Sequence, residues 1–431
     1  MDTFLKDSLL THPVGIFGGG VSGVSAKRFV EALGGEAVIY DEIETLRENR
    51  YFDHENAAKH RFIINSPGFP PSHPWFAIAR EAGCQVIGEI EFASNYWLGR
   101  TVFVTGTNGK STITQLLTAV LKEAGFEAYA FGNIGIPFSD HHLYKANEKA
   151  IAVIELSSFQ SWNLQAPSVD GIIWSNFAAD HLDWHGEIAH YFDAKWNALC
   201  QVTDGPIVIG SGILKCAREF KKAIPITAEV IGDNLEQIPN GGLISAVNKL
   251  NIEYVKRFVS YYEVDASLVD RVVERFAFLP HRLEFVGSTA GINYWNDSKA
   301  TNFHAVEAAL QSFYSPVIWL GGGLSKGGDI AGFARSIAPK IKVAITFGVV
   351  ANTLADALIA EGVLTYAVVN LEAAMEILKF ESGPGDEVLL SPGFASFDQF
   401  NGYADRGKQF CNLIEKHFFN QTEINPIHVN H

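Results

Sequence analysis

The run Thr101-Val-Phe-Val-Thr-Gly-Thr-Asn-Gly-Lys-Ser-Thr112 constrains what this chain can fold into more than any other stretch. A β-branched segment stops at Gly106, and Lys110-Ser111-Thr112 then opens a pattern in which Ile113, Leu116, Leu117, Val120 and Leu121 recur at helical spacing. A strand, a tight glycine turn and a helix satisfy both periodicities. Such a turn is a phosphate cradle: Gly106, Thr107, Asn108 and Gly109 can aim backbone N–H groups inward, and the helix N-terminus adds positive potential. Lys110 would neutralise phosphate charge, and the hydroxyl of Ser111 or Thr112 can reach a Mg²⁺ ion. The generic phosphate-loop pattern places a glycine at position 104, where this chain has Val104 and offers Gly106 instead. An ordinary strand-to-helix connection would also accept these glycines, but it has no need of the lysine and paired hydroxyls.

A second glycine turn lies upstream. Val14–Phe17 reads as a buried strand, Gly18-Gly-Gly-Val-Ser-Gly23 fits G-x-G-x-x-G, and a helix follows through Ala26, Phe29, Val30 and Leu33. The next strand, Ala37–Tyr40, ends at Asp41, near where a nicotinamide-binding fold puts the acid that grips a ribose. On these residues alone an oxidoreductase stands beside any other nucleotide reading, and glycines serving only close helix–strand packing remain a third. Phe62–Asn65 is another strand, delivering Ser66-Pro67-Gly68 at its carboxyl end, where open α/β sheets bind ligands.

Beyond residue 112 the pattern of strand, polar loop and helix repeats. Ala150–Ile154 carries no charge until Glu155, at a strand tip suited to holding a phosphate-bridging cation. Gly171–Asn176 is a strand followed by Asp180-His181-Leu-Asp-Trp-His185, a dense polar cluster. A helix from Ile188 carries Lys195; a lysine on a helix is ordinarily solvated, and its interest here is its closeness to that cluster. A helix over 246–258 places Asn248 and Asn251 one turn apart, and short segments are expected at Ile224–Ile231 and Gly241–Leu243. From Leu279 a third α/β pattern has strands at Ile292, Val317–Leu320, Val343–Phe347 and Glu387–Leu390, each ending in polar residues. Arg406 stands close behind the last of these loops, and the tail after Phe419 is polar.

At 431 residues the chain is too long for one core. Its net charge of −15 argues against nucleic-acid binding, which relies on basic patches. Four cysteines without metal spacing fit a reducing, cytoplasmic setting. Met1–Asp7 lacks the basic and apolar regions of a signal peptide, and no run is long enough to span a membrane.

The order of motifs resembles the Mur ligase family over nearly the whole chain. The resemblance rests on Ser66-Pro-Gly68 with Gly88-Glu-Ile-Glu91, Thr105–Thr112, Gly132-Asn-Ile-Gly135 and Glu155-Leu-Ser-Ser-Phe-Gln160. It continues through Asp180-His-Leu-Asp183, Leu279-Pro-His-Arg282, Asn296-Asp-Ser-Lys-Ala-Thr-Asn302 and Ser391–Phe400. Ala179, Val247, the Gly393-Phe394 pair and Tyr403 depart from the residues common in the family. The resemblance implies three domains: a Rossmann-like one over 1–97, a central P-loop ATPase-like one with a mostly parallel sheet over 98–279, and a Rossmann-like α/β one over 280–431. The last two motifs favour the family activity that adds D-glutamate to UDP-N-acetylmuramoyl-L-alanine, in cytoplasmic peptidoglycan precursor synthesis, by a monomeric enzyme.

Residue by residue, the resemblance implies the following. Gly106 to Thr112, with Asn251, Arg282 and Asp297, would bind ATP. Ser111 and Glu155 would hold one Mg²⁺, and His181 a second together with a CO₂-derived carbamate on Lys195; histidine is an unusual Mg²⁺ ligand, so Mn²⁺ support is also expected. Val21, Ser22, Asp41 and Ser66, Pro67 and Gly68 would contact the uridine diphosphate, with no hydride chemistry, and Asn133 and Gln160 the sugar or peptide end. Lys299 and Lys326 would pair with the two carboxylates of D-glutamate, with Thr301, Ser396 and the Tyr403 ring completing that pocket. Lys110, His181, Lys195 and Lys299 would carry the chemistry. A sensor that binds ATP without turnover is the non-enzymatic alternative.

Overall fold

The computed structural model describes residues 8–9, 11–46, 51–165, 169–232 and 246–419. The segment expected at Gly241–Leu243 and the tail after Phe419 lie outside them. The chain divides into two compact units, 1–233 with 251–276, and 234–250 with 277–431.

The first unit contains two wholly parallel sheets. One joins β1 (Val14–Phe17), β2 (Ala37–Tyr40), β3 (Phe62–Asn65) and β4 (Gln85–Gly88) in the order β2-β1-β3-β4. The other joins β5 (Arg100–Thr105), β6 (Ala128–Gly132), β7 (Ile151–Glu155), β8 (Ile172–Trp174), β9 (Ile207–Gly210) and β10 (Glu229–Ile231) in the order β10-β9-β8-β5-β7-β6. β1, β3 and β7 are buried at every position, as strands are when helices cover both faces of a parallel sheet. The helix Lys110–Glu123 turns the stripe Ile113, Leu116, Leu117, Val120 and Leu121 inward.

Two carboxylates stitch these sheets together. Glu89, at the end of β4, accepts a hydrogen bond from the Ser139 N–H at 2.5 Å, and Glu91 accepts one from the Gln165 N–H at 3.1 Å. Asp140 adds an accepted bond from the Ser25 hydroxyl and an ion pair with Arg28. Burial pushes the carboxyls of Glu89 and Glu91 up to about 7 each, against the pull of those hydrogen bonds. A carboxyl raised in the folded state stabilises most below its unfolded value, and that contribution is lost as pH rises through about 7. Glu89→Gln, which keeps an acceptor for Ser139 without charge, is therefore expected to unfold at a higher temperature than wild type at pH 8. The difference should shrink at pH 5.5; a pH-independent difference in thermal denaturation would refute the burial argument.

The second unit contains β11 (Glu284–Thr289), β12 (Ile292–Asn296), β13 (Val317–Gly322), β14 (Ile341–Phe347), β15 (Leu364–Ala367) and β16 (Glu387–Gly393). Their order is β11-β12-β16-β13-β14-β15, parallel except for the β11/β12 hairpin. β12, β16 and β13 are neighbours, so the loops leaving their carboxyl ends emerge side by side. Among the described residues, no helix is long and apolar enough to cross a membrane.

Candidate active site

The phosphate loop leaves β5 at Gly106 and ends at Gly109, which caps the following helix at φ +87°, a conformation that favours glycine. The segment after β8 holds the loop in shape. The Asn108 N–H donates to Asn176 Oδ1 at 2.9 Å, and its carbonyl accepts from the Ser175 hydroxyl at 2.8 Å and from Asn176 Nδ2 at 3.1 Å. Thr107 Oγ1 lies 3.1 Å from the Tyr191 hydroxyl and accepts from the Ala178 N–H at 3.0 Å. A Cβ on Gly106 would collide with the Ser175 hydroxyl, and one on Gly109 would sit 2.7 Å from Asn251 Oδ1. The Asn251 side chain is thus packed on the loop. Lys110 Nζ donates to the carbonyls of Gly106 at 2.9 Å and Thr107 at 3.0 Å, so the cation is held at the loop's mouth. Thr112 is buried and Ser111 half-buried in the first helical turn.

β7 is next to β5 in the sheet, which brings Glu155 beside this cradle. Glu155 Oε1 accepts from Asn133 Nδ2 at 3.1 Å, whereas Oε2 is buried with no hydrogen-bond partner among the described residues. An orphaned carboxylate oxygen is costly, and a cation would satisfy it. Lys195 is 1% exposed; its Nζ donates to the Gly106 carbonyl at 2.8 Å and lies 5.0 Å from the Tyr191 ring centre. Burial, then the like charge of Lys110, holds its amine well below the ordinary lysine range, while Asp180 and Glu155 pull the other way. His181 adopts φ 54°; its imidazole lies 3.7 Å from Asp180 and edge-on to Phe159 at 4.7 Å. The structure therefore gathers Lys110, Glu155, Lys195 and His181 around the carboxyl ends of three adjacent strands, β7, β5 and β8.

The first sheet's residues are more occupied. Asp41 spends Oδ2 on the Gly19 N–H and Oδ1 on the Ile43 N–H, both at 2.8 Å, and so shapes the glycine turn. The Ser66 hydroxyl donates to the Gly18 carbonyl at 3.2 Å, while Val21 and Gly68 are exposed and Ser22 and Pro67 half-buried around them. Gln160 serves the capping box of the turn Ser158–Ser161: its Oε1 accepts from the Ser157 N–H at 3.0 Å and hydroxyl at 2.8 Å.

In the second unit, Asp297 is buried after β12, accepting from the Leu283 N–H at 3.0 Å and the Ser391 hydroxyl at 2.7 Å. Burial pushes its carboxyl up to about 7, opposed by those two bonds and by Arg282 and Arg406. Lys299 Nζ stands 3.9 Å from the Tyr403 ring centre, a cation–π contact. Thr301 follows β12, exposed Lys326 follows β13 and buried Ser396 follows β16, three neighbouring loops of one sheet edge. Arg406, fully buried, ties two of them together: Nε donates to the Ser298 hydroxyl at 3.0 Å, Nη2 to the Ser298 carbonyl at 2.9 Å and Nη1 to the Phe394 carbonyl at 3.1 Å.

Sequence reasoning assigned no role to Ser175, Asn176, Tyr191 or Arg406. Tyr191 had a signal, since it precedes Lys195 by one helical turn on the same face. The loop-clamping pair had none beyond its place at a strand end.

Two family models match the chain: the Mur ligase middle domain over residues 104–237 and the Mur ligase glutamate ligase domain over residues 281–394. The UDP-N-acetylmuramoylalanine–D-glutamate ligase of Aquifex aeolicus is 32% identical over 418 residues, 93% of this chain and 98% of that protein. The enzyme of the same name from a Hydrogenobaculum species is 32% identical over 421 residues, 94% and 98% of the two chains. Among solved structures, the MurF ligase of Thermotoga maritima in complex with ADP shares the fold, with a TM-score of 0.57 at 16% identity over 96% of each chain. Similarity of this extent, over both nucleotide-loop and carboxyl-terminal motifs, places the chain in the Mur ligase family.

Proposed function

We propose that this protein is an ATP-dependent, ADP-forming ligase that joins D-glutamate to UDP-N-acetylmuramoyl-L-alanine in peptidoglycan precursor synthesis. The supporting observation is the meeting of a phosphate cradle with an orphaned Glu155 oxygen and a buried Lys195 amine, held by burial well below the ordinary lysine range, at adjoining strand ends. The names of the relatives supply the two substrates that are joined.

A carboxylate resists attack by an amine because it has no leaving group. Transfer of the ATP γ-phosphoryl group to the alanyl carboxylate makes an acyl phosphate; the glutamate amine attacks its carbonyl, and the tetrahedral intermediate expels phosphate to leave an amide. Lys110, together with the loop N–H groups, balances charge on the moving phosphoryl group. Lys299 and Lys326 receive the carboxylates of D-glutamate, with Thr301, Ser396 and Tyr403 around them. Asn251, Arg282 and Asp297 complete the ATP site; Val21, Ser22, Asp41 and Ser66 to Gly68 serve the uridine diphosphate, and Asn133 and Gln160 the sugar or peptide end. The domains 1–97, 98–279 and 280–431 divide these tasks, in a cytoplasmic monomer.

The residues fit two Mg²⁺ ions, with Mn²⁺ acceptable. Ser111 and the unpartnered Glu155 oxygen suit one, and His181 the other. Among the described residues, no three His, Cys, Asp or Glu side chains converge. A carbamate on Lys195 would add the missing anionic oxygen, and burial that lowers the amine's affinity for its proton favours the neutral form that reacts with CO₂. The metal, when bound, screens the charge between the reacting phosphates and carboxylates.

Phosphate release measured with UDP-N-acetylmuramoyl-L-alanine and a panel of amino acids tests the assignment. Turnover with D-glutamate alone is expected; preference for L-alanine or a diamino acid, or release without any acceptor, would overturn it.

A further inference from the structure

The His181 imidazole belongs to a closed set of four rings. Phe159 meets it edge-on at 4.7 Å and Tyr191 meets it at 6.2 Å between ring centres. His185 packs against both of those neighbours, nearly parallel to Phe159 at 5.7 Å and tilted against Tyr191 at 5.1 Å. Tyr191 is in turn fixed to the phosphate loop, where its hydroxyl meets Thr107.

His185 also carries a bond that packing does not require. Its Nε2 lies 2.9 Å from the Ser158 hydroxyl, and both residues are buried. A phenylalanine would fill the same place among the rings, with an alanine at 158. Ser158 follows Glu155 by three residues on the segment leaving β7, and His185 follows His181 by four on the segment after β8. The bond therefore ties the loop that carries Glu155 to the loop that carries His181.

His181 needs such a tie. Its backbone is left-handed, at φ 54° and ψ 30°, a conformation that a residue with a Cβ keeps only where its surroundings hold it. The His181 carbonyl accepts from the N–H groups of Trp184 at 3.1 Å and His185 at 3.0 Å. The single turn Leu182–His185 is thus anchored at its start by the His181 backbone and at its end by the Ser158 hydroxyl. Fixing His185 fixes the backbone that aims the His181 ring.

We infer that His185 is a positioning residue: through Ser158 and the shared rings it holds His181 where its imidazole can ligate the second divalent cation, in register with Glu155. This rests on the ligase reading above, which gives His181 a metal. His185 Nε2 is engaged by Ser158, so its part is to aim and not to ligate. Removing the partner that orients a metal ligand weakens metal binding by about ten- to a hundredfold.

The test uses the full-length protein with His185→Phe, which keeps a ring and loses the bond, and Ser158→Ala, which loses the same bond from its other side. Electron paramagnetic resonance of Mn²⁺, with bicarbonate and ADP present, is expected to show one of two sites weakened about tenfold in each variant. That site is the one a His181→Ala protein lacks, and the other keeps its wild-type affinity. The double variant should bind no more weakly than either single one, because both changes remove one bond. In His185→Phe, kcat at limiting Mn²⁺ should fall by a similar factor and recover at saturating Mn²⁺, with the KM values for ATP and D-glutamate near wild type. Wild-type affinity at both sites in both variants overturns the inference, as do losses that multiply in the double variant or a His185→Phe kcat that excess Mn²⁺ fails to restore. A wild-type protein with no His181-dependent Mn²⁺ site would instead remove the second-metal assignment. The His181 Cε1–H NMR signal of the metal-free protein then decides the role of His185. Ring currents from Phe159 and Tyr191 displace that signal, and it should move in Ser158→Ala; an unmoved signal overturns the inference.

Discussion

Lys195→Ala is expected to reduce D-glutamate ligation by ~10³-fold or more while leaving the fold intact, as read by phosphate release and thermal denaturation. The side chain is almost fully buried, and its amine bonds to a loop carbonyl next to Lys110, an expensive place for a structural cation. Its removal takes away a desolvated amine, so stability should hold or rise slightly, whereas a metal site built on its carbamate would be lost. Depletion of bicarbonate should lower wild-type activity and leave the residual activity of the variant unchanged. A Lys195→Ala protein with wild-type turnover would eliminate the carbamate from the mechanism.

Arg406→Ala should have the second large effect, here on the carboxyl-terminal unit. The guanidinium makes three bonds at full burial, to the Ser298 hydroxyl, the Ser298 carbonyl and the Phe394 carbonyl. Truncation leaves these acceptors unsatisfied around a void, at a cost of about 3–5 kcal/mol. Denaturant unfolding of the intact protein reads this loss. Because Ser298 adjoins Lys299 and Phe394 lies two residues before Ser396, the KM for D-glutamate should rise in the same variant. Arg406→Lys cannot replace the fork, since one ammonium does not reach three divergent acceptors in a fixed plane. A Lys variant matching wild type in both stability and amino-acid KM would show that the fork's geometry is immaterial.

Strands with buried, uninterrupted apolar runs are legible from sequence: β1, β2 and β3 begin and end where the runs do, and the helix bearing Lys195 starts at Ile188 as its pattern requires. β6, β11 and β15 are not. β6 mixes Tyr and half-buried Ala with a closing glycine, and β15 is a sheet-edge strand with no residue fully buried, so neither shows a clear period. β11 pairs antiparallel across a bulge between Phe285 and Gly287, which breaks the alternation that would announce it. At the site, residues tied to a glycine turn or a strand tip were readable because backbone geometry fixes their place. Partnerships made across long sequence distance were not. Nothing local shows that Asp41 also places both of its oxygens on backbone N–H groups, or that Gln160 also caps a helical turn. Arg406 is more than a hundred residues from Ser298, and no local pattern reports that they meet.

The clamp on Asn108 by Ser175 and Asn176 has one more consequence. A loop already held by three bonds from a neighbouring strand end is preorganised: its backbone keeps its shape before any nucleotide arrives. Nucleotide association then spends little conformational entropy on ordering the loop, and more of the binding free energy is available to hold the triphosphate in its reactive pose. In this enzyme the rigidity of the cradle is set by two polar residues outside the loop, Ser175 and Asn176, and the loop's own glycines supply only the permission to bend.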